Sequence, residues 1–200
     1  VRLHLSAYHF WFHSLATSVV MLAAVFSRTV FVPSGPQLNY ALPLGLILPA
    51  VAAAVTTHGT GSRADYLARQ SARSSATLVG FRLVAGTLIP MGMTIGVSTA
   101  LFRDGSYGAV LARNYALCLG IAFLATRILG SSWFWLPLSS YVIACMVVGV
   151  TATGGLRPWA VLAQPTLQPA TTTTTGAILA GGCAVFVATL RRSSSQASLT

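Results

Sequence analysis

The sequence predicts an all-α membrane bundle of about six transmembrane helices, and three observations lead there. Hydrophobic residues make up 54% of the chain and charged residues only 7%, against about 25% charged in soluble domains. Apolar runs recur along the chain, several near the ~20 residues that a membrane helix needs. The charges fall mainly between those runs. All twelve basic residues are Arg, and there is no Lys and no Glu.

The first stretch mixes Arg2, His4, His9 and His13 with Tyr8, Phe10, Trp11 and Phe12, a composition suited to the headgroup layer. It leads into a first span over Phe10–Phe26, too long for a signal-peptide core and without a small-x-small cleavage site before Arg28. A turn at Phe31–Pro36 precedes the second span, Tyr40–Thr56. Pro43 and Pro49 fall inside that span and predict a kink. The third span, Leu83–Phe102, has Pro90 near its middle and Gly92-x-x-x-Gly96 after it, spacing that lets helix backbones approach.

Arg103–Ser106 forms a turn before the fourth span, Ala109–Leu129. There Ala112, Ala116 and Gly120 make a smooth face. Arg113 and Arg127 are placed to snorkel toward the two ends. The fifth span, Trp133–Thr151, opens on the aromatic Trp133-Phe134-Trp135. The connection Ala152–Thr175 holds a short apolar piece, Trp159–Ala163, between Pro158 and Pro165. Too short to cross, it reads as a re-entrant or interfacial piece followed by a polar threonine tract. The sixth span, Gly176–Leu190, carries Gly176, Ala180, Ala184 and Ala188 at four-residue spacing. Ala180 and Ala184, with Gly92 and Gly96, are the candidate helix-packing residues. The chain divides into one transmembrane domain, 1–192, and a serine-rich tail, 193–200, expected to be disordered.

Between the second and third spans, Thr57–Arg82 holds Arg63, Arg69, Arg73 and Arg82. With this loop inside, Arg2, Arg63, Arg69, Arg73, Arg82, Arg127, Arg191 and Arg192 lie on one side. Arg28, Arg103, Arg113 and Arg157 lie on the other. The positive-inside rule then puts both termini in the cytoplasm of a multi-pass cell-membrane protein. Within the loop, Ser62-Arg63-Ala64-Asp65 has capping-box spacing, which predicts a short cytoplasmic helix, Ser62–Ser74. Gly59 and Gly61 allow a sharp entry to it. Tyr66, Arg69 and Arg73 share one side of that helix.

Several function classes find no residues. A net charge of +10 invites a nucleic-acid reading, but arginines scattered between apolar spans make no phosphate-binding footprint. The two acids, Asp65 and Asp104, lie outside the spans, which disfavours proton- or cation-coupled transport. No P-loop or G-x-S-x-G motif occurs. His9 and His13 are four apart but lack a third ligand, and Cys118, Cys145 and Cys183 sit in apolar runs without CxxC spacing. No catalytic, metal or cofactor site is expected, and an enzyme is not.

The layout resembles the permease of a type-2 ABC exporter: six spans, an interfacial start, a basic helical loop after span two and a re-entrant piece before span six. Arg113-Asn114-Tyr115, Ala125–Gly130, Trp135-Leu136-Pro137-Leu138, and Arg157-Pro158-Trp159-Ala160 with Gln164-Pro165 resemble strings of actinobacterial ABC-2-type permease-like proteins. The resemblance implies a permease subunit that dimerises with itself or another permease. A separate ABC ATPase would drive it to move a hydrophobic or amphipathic solute, and coupling would fall to Tyr66, Arg69 and Arg73. The alternative is a non-transporting membrane scaffold or immunity protein acting through helix–helix contacts, its small-residue stripes meeting a partner in the bilayer.

Overall fold

The computed structural model describes residues 2–35, 40–70, 75–151 and 153–197, with side chains for 12–35, 41–60, 81, 83–151 and 153–188. Six α-helices occupy most of this: α1 Arg2–Phe26, α2 Leu48–Gln70, α3 Ser75–Phe102, α4 Gly105–Leu129, α5 Trp135–Val148 and α6 Pro169–Ala197. Four contain stretches long and apolar enough to cross a membrane: Phe12–Thr29, Leu83–Phe102, Gly105–Leu129 and Pro169–Ala188. The apolar part of α2 and the whole of α5 are shorter. At 1.5 Å per residue, the 14 residues of α5 reach roughly 21 Å, less than a bilayer core.

α4 is the axis of the bundle. Its apolar window is 83% buried, against 22–33% for the windows of α1, α3 and α6. Leu111, Tyr115, Cys118, Leu119, Ala122 and Phe123 form the centre of the core, with Met21 and Val25 of α1 and Ala52 and Ala53 of α2. The outer faces of α1 and α3 expose Leu15, Val19, Val84 and Leu88, as expected of helices solvated by lipid chains rather than water.

Close approach of α4 and α6 depends on glycine. A β-carbon at Gly120 would lie 2.8 Å from the Ile178 carbonyl oxygen, and one at Gly182 would lie 2.7 Å from that of Gly120. Phe123 stacks on Phe186 one turn further on, with centroids 5.0 Å apart. Gly108 plays the same part where α4 crosses α3 beside Ile95 and Ser98.

Several expectations are corrected. The second span does not begin at Tyr40. Phe31–Ser34 and Tyr40–Pro43 pair as antiparallel strands β1 and β2, Ser34 opposite Tyr40. A 3₁₀ turn at Leu44–Leu46 follows. Prolines in both strands and Gly35 at φ 86° disfavour helix here. Pro49 then lies in the first turn of α2, where a missing N–H costs nothing, and not at a mid-span kink. The Gly35 N–H donates to the Met146 carbonyl at 2.7 Å, tying the hairpin to the end of α5.

The separate helix Ser62–Ser74 is also corrected. α2 runs unbroken from Leu48 to Gln70, so Ser62 lies inside a helix and does not cap one. Gly59 and Gly61 each weaken a helix by about 1 kcal/mol, but no proline interrupts the segment. At the other end of the chain, α6 begins at Pro169, so the threonine tract is its first turns and not a loop. Thr172, Thr173 and Thr174 each return a hydroxyl hydrogen bond to the carbonyl four residues back, at 2.8–3.0 Å, which lets a polar tract enter an apolar phase. The helix continues to Ala197, through most of the residues expected as a tail.

Alternation of the helices brings the backbone positions of Arg2, Arg63, Arg69, Arg82, Arg127, Arg191 and Arg192 to one end of the bundle. Arg28, Arg103 and Arg157 lie at the other, beside the β-hairpin. Arg28 rests over the rings of Phe102 and Tyr107 at 5.2 and 5.7 Å, a contact that suits a cation at a membrane boundary. Nearby, Asp104 caps α4, its carboxylate accepting from the Tyr107 N–H at 3.1 Å and the Ser106 hydroxyl at 2.6 Å.

Candidate functional site

Three features of the interior are candidates for function: an arginine-centred knot, a chain of hydroxyls across four helices, and a cavity at the arginine-rich end.

The knot begins with Arg113, 4% exposed on α4. It does not snorkel outward, because carbonyls are waiting inside. Its guanidinium donates to the main-chain oxygens of Val161 (2.8 Å), Gln164 (2.7 Å) and Thr166 (2.7 Å). It also donates to the side-chain oxygen of Asn114 at 2.9 and 3.2 Å. The Asn114 amide in turn donates to the carbonyls of Leu46 and Leu162, both at 3.2 Å.

These bonds hold the segment before α6 inside the bundle. Ala160–Gln164 is almost wholly buried, with a 3₁₀ turn at Val161–Ala163. The Tyr141 hydroxyl and the Gln164 side chain brace it further, donating to the carbonyls of Trp159 (3.1 Å) and Pro158 (3.2 Å). A short non-helical segment at this depth needs its carbonyls satisfied by protein, and one planar fork with five N–H groups satisfies three of them. Among the described residues no carboxylate is a partner of Arg113. The arrangement positions the segment; it presents no open cation.

The hydroxyl chain lies nearer the arginine-rich end. Thr17 of α1 and Thr56 of α2 share a hydrogen bond of 2.9 Å, and Thr56 meets the Tyr115 hydroxyl of α4 at 2.9 Å. Tyr115 donates to the Gly86 carbonyl of α3 at 2.9 Å, and Thr56 to the Ala52 carbonyl at 3.1 Å. Three hydroxyl protons serve these four contacts, so no one arrangement makes all four at once, and Thr56 and Tyr115 bond to each other only when one of them turns its proton away from its carbonyl. The chain links α1, α2, α3 and α4 without a charged group.

The cavity holds about 680 Å³, within the usual range for small-molecule sites. Phe12, His13 and Ala16 of α1 form one wall and Val55 and His58 of α2 another. Ser131, Ser132, Phe134 and Trp135, between α4 and the start of α5, line its remaining side, and the cavity is open to the outside. The His13 and His58 rings meet edge to face, with centroids 6.5 Å apart. A β-carbon at Gly59 would collide with the His13 ring, so this glycine sets the approach of α1 to α2. The lining is mostly apolar, and its polar groups are two imidazoles and two hydroxyls.

The residues singled out from sequence fall elsewhere. Tyr66 and Arg69 are on the last turns of α2, their side chains outside the described residues, and Arg73 lies outside them altogether. Gly92 and Gly96 face outward with nothing within 4 Å of a would-be β-carbon, and Ala180 and Ala184 are exposed. Among the described residues, the close approach of α4 and α6 belongs to Gly120 and Gly182 instead. Among the described residues no group of three or more His, Cys, Asp or Glu could hold a metal ion. The roles of Arg113, Asn114 and Tyr115 were missed as chemistry, although their string stood out. A charged and an amide residue side by side within an apolar span was the available signal. Protein-family models, curated proteins and solved structures give no match to this chain.

Proposed function

We propose that the chain is a membrane permease subunit that moves a hydrophobic or amphipathic solute, dimerising and drawing its energy from a separate ABC ATPase. One observation supports the reading best. α2 is a single rod from Leu48 to Gln70; it walls the cavity at Val55 and His58 and carries Arg63, Tyr66 and Arg69 beyond it. A push on the far end of such a rod reaches the cavity without passing through a flexible joint. The arginine-rich end would face the cytoplasm of the cell membrane under the positive-inside rule, with both termini on that side. The ATPase would meet Tyr66, Arg69 and Arg73.

The test is co-expression with an ABC ATPase encoded beside the chain. The reading expects co-purification and ATP hydrolysis that rises in the presence of the permease. Tyr66→Ala with Arg69→Ala should remove the stimulation. Ala64→Pro, which breaks the rod between cavity and arginines, should uncouple hydrolysis from solute release while leaving the bundle folded. Absence of association, or export unaffected by these changes, would sink the proposal.

A second reading, a non-transporting scaffold acting through helix–helix contacts, is favoured by the open faces at Gly92 and Gly96 of α3 and at Ala180 and Ala184 of α6. Among the described residues these small positions are exposed, a face that another helix could approach closely.

A further inference from the structure

We infer that the membrane is thinner along α5 than around the rest of the bundle. At the hairpin end, phospholipid headgroups and water descend to the last turn of α5, on the order of 10 Å below the level they keep beside α1 and α3. The inference needs only a multi-pass membrane bundle and does not depend on the permease reading.

The helices do not end at one level. A β-carbon on Gly149, the residue after α5, would lie 2.8 Å from that of Ala160. The neighbouring carbonyls of Val161 and Leu162 accept from Arg113 at 2.8 Å and from Asn114 at 3.2 Å. Asn114 is nine residues along α4 from Gly105, a rise of about 13 Å. Side chains on a helix lean toward its N-terminus, here the hairpin end, which shortens this by a few ångströms. The end of α5 therefore lies on the order of 10 Å short of the start of α4.

Among the described residues, what faces outward changes at the same level. Phe26, Leu101 and Phe102 are exposed at the hairpin ends of α1 and α3, so that side stays apolar to the end of the bundle. On the other side, the exposed apolar residues of α5 finish at Val147 and Val148. Thr153, Gly154, Gly155, Arg157 and Pro158 follow, exposed and non-helical. The Arg157 N–H donates to the Gly149 carbonyl at 2.9 Å, which holds this segment at the end of α5. Irregular backbone does not face hydrocarbon, so water and headgroups must reach it. Trp159, exposed close to Arg157, is a residue type that settles in the headgroup layer. The stacked Trp133 and Trp135 mark the opposite boundary. Between the two lie the 14 residues of α5, about 21 Å where a bilayer core is about 30 Å. A polar headgroup passing beside α5 has correspondingly less hydrocarbon to cross.

The experiment places one nitroxide at a time on the full chain, with Cys118, Cys145 and Cys183 changed to Ala, in nanodiscs of dioleoylphosphatidylcholine. Val147→Cys, Met93→Cys and Leu101→Cys are compared by the ratio of oxygen to nickel-chelate collisions, which rises with depth in hydrocarbon. Gly108 seats on Ile95 and Ser98 of the antiparallel α3, so Met93, itself exposed, is about level with Arg113 and with the end of α5. The expected result is a shallow Val147 label, with a ratio matching that of Leu101 and several-fold lower than that of Met93. A label at Leu156→Cys should be open to the nickel chelate, although an apolar residue stands there. Equal ratios at Val147 and Met93 would overturn the inference, because they describe a flat boundary. So would labels at Val147 and Leu156 that are shielded from both reagents, the result of a partner or a second copy covering α5. Circular dichroism confirms that the helices are intact, and Val148→Cys takes the place of Val147→Cys if that variant does not fold.

Discussion

The guanidinium of Arg113 donates to the main-chain oxygen of Gln164 at 2.7 Å across 51 residues of sequence, and this bond is one of three that pin a non-helical segment inside a helical bundle. A buried carbonyl left without its donor costs about 1–3 kcal/mol. Removing Arg113 orphans those of Val161, Gln164 and Thr166 together. Arg113→Met is therefore expected to destabilise the fold by on the order of 3 kcal/mol or more. Arg113→Lys should recover only part, because an ammonium cannot reproduce the planar fork. Limited proteolysis between Arg157 and Gln168, followed with thermal unfolding in detergent, checks this. Cleavage as slow as in the wild type would show that the knot does not hold the segment.

Tyr115 and Thr56 give a second, smaller expectation. Tyr115→Phe removes the bond to the Gly86 carbonyl and the contact with Thr56, and Thr56→Val removes the branch to Thr17. Interhelical hydrogen bonds in membranes average about 0.6 kcal/mol, so each single change should cost about 1 kcal/mol or less. The double variant should cost less than the sum, because the two share one bond. Strict additivity in a double-mutant cycle would mean that the hydroxyls do not act as one chain.

The way Arg113 is used explains what could and could not be read from the sequence. The apolar runs and the arginines between them are composition and spacing, and these made the helical bundle, the helix order and the basic end legible. The partners of Arg113 were not, because an arginine close to a span end can either snorkel or turn inward, and carbonyls 48–53 residues away decide which. The hairpin at Phe31–Pro43 was hidden for a related reason: its two strands have only four residues each, and its apolar residues continue into those of α2. Pro49 read as a kink because the start of α2 was set too early. The small-residue stripe of α6 was visible as Ala180 and Ala184. Which of its faces meets α4 depended on the seat of Gly182 against Gly120, a matter of helix rotation that spacing alone leaves open.

That seat makes a third expectation. Gly120→Leu and Gly182→Leu force side chains against the opposing backbone, and overpacking of this kind costs about 1–3 kcal/mol or more. Ala180→Leu and Ala184→Leu add bulk to an exposed face and should leave the unfolding temperature nearly unchanged. If these two alanine changes abolish biological function in a stable protein, the scaffold reading gains at the expense of the permease reading. If they destabilise the isolated chain as much as Gly120→Leu does, the described packing of α4 on α6 is wrong.

Asp104 supplies a pH dependence whose sign can be worked out. Hydrogen bonds from the Ser106 hydroxyl and the Tyr107 N–H hold its carboxyl below the usual carboxylate value, with help from the positive charge of Arg28. A group whose pKa is lower folded than unfolded stabilises the fold above its unfolded value, and that stabilisation is lost as pH falls through the folded value. The contribution should be constant at neutral pH and disappear in the acid range. Asp104→Asn keeps a capping oxygen and should flatten the acid limb, whereas Asp104→Ala should cost about 1 kcal/mol at neutral pH as well. Unfolding midpoints of the three proteins across the acid range separate the charge from the cap. An acid limb equally steep in Asp104→Asn would mean that another group sets it.

The last expectation concerns sidedness. Helix alternation puts the end of α2 and the loop around Thr153 at opposite ends of the bundle, so single cysteines there should label from opposite faces of a sealed membrane. Ser62→Cys and Thr153→Cys, each in a background with Cys118, Cys145 and Cys183 changed to Ala, make the pair. An impermeant maleimide applied to right-side-out vesicles should reach position 153 and leave position 62 unlabelled until the membrane is opened. The Arg63, Arg69 and Arg82 positions share the end of Ser62, so the positive-inside rule gives the direction as well as the difference. Labelling of both positions from one face would require a span to be lost, most simply α5, whose 14 residues are the fewest of the six helices. Labelling in the reverse order would keep the bundle and invert it, placing the far end of α2 outside the cell and removing any contact with a cytoplasmic ATPase.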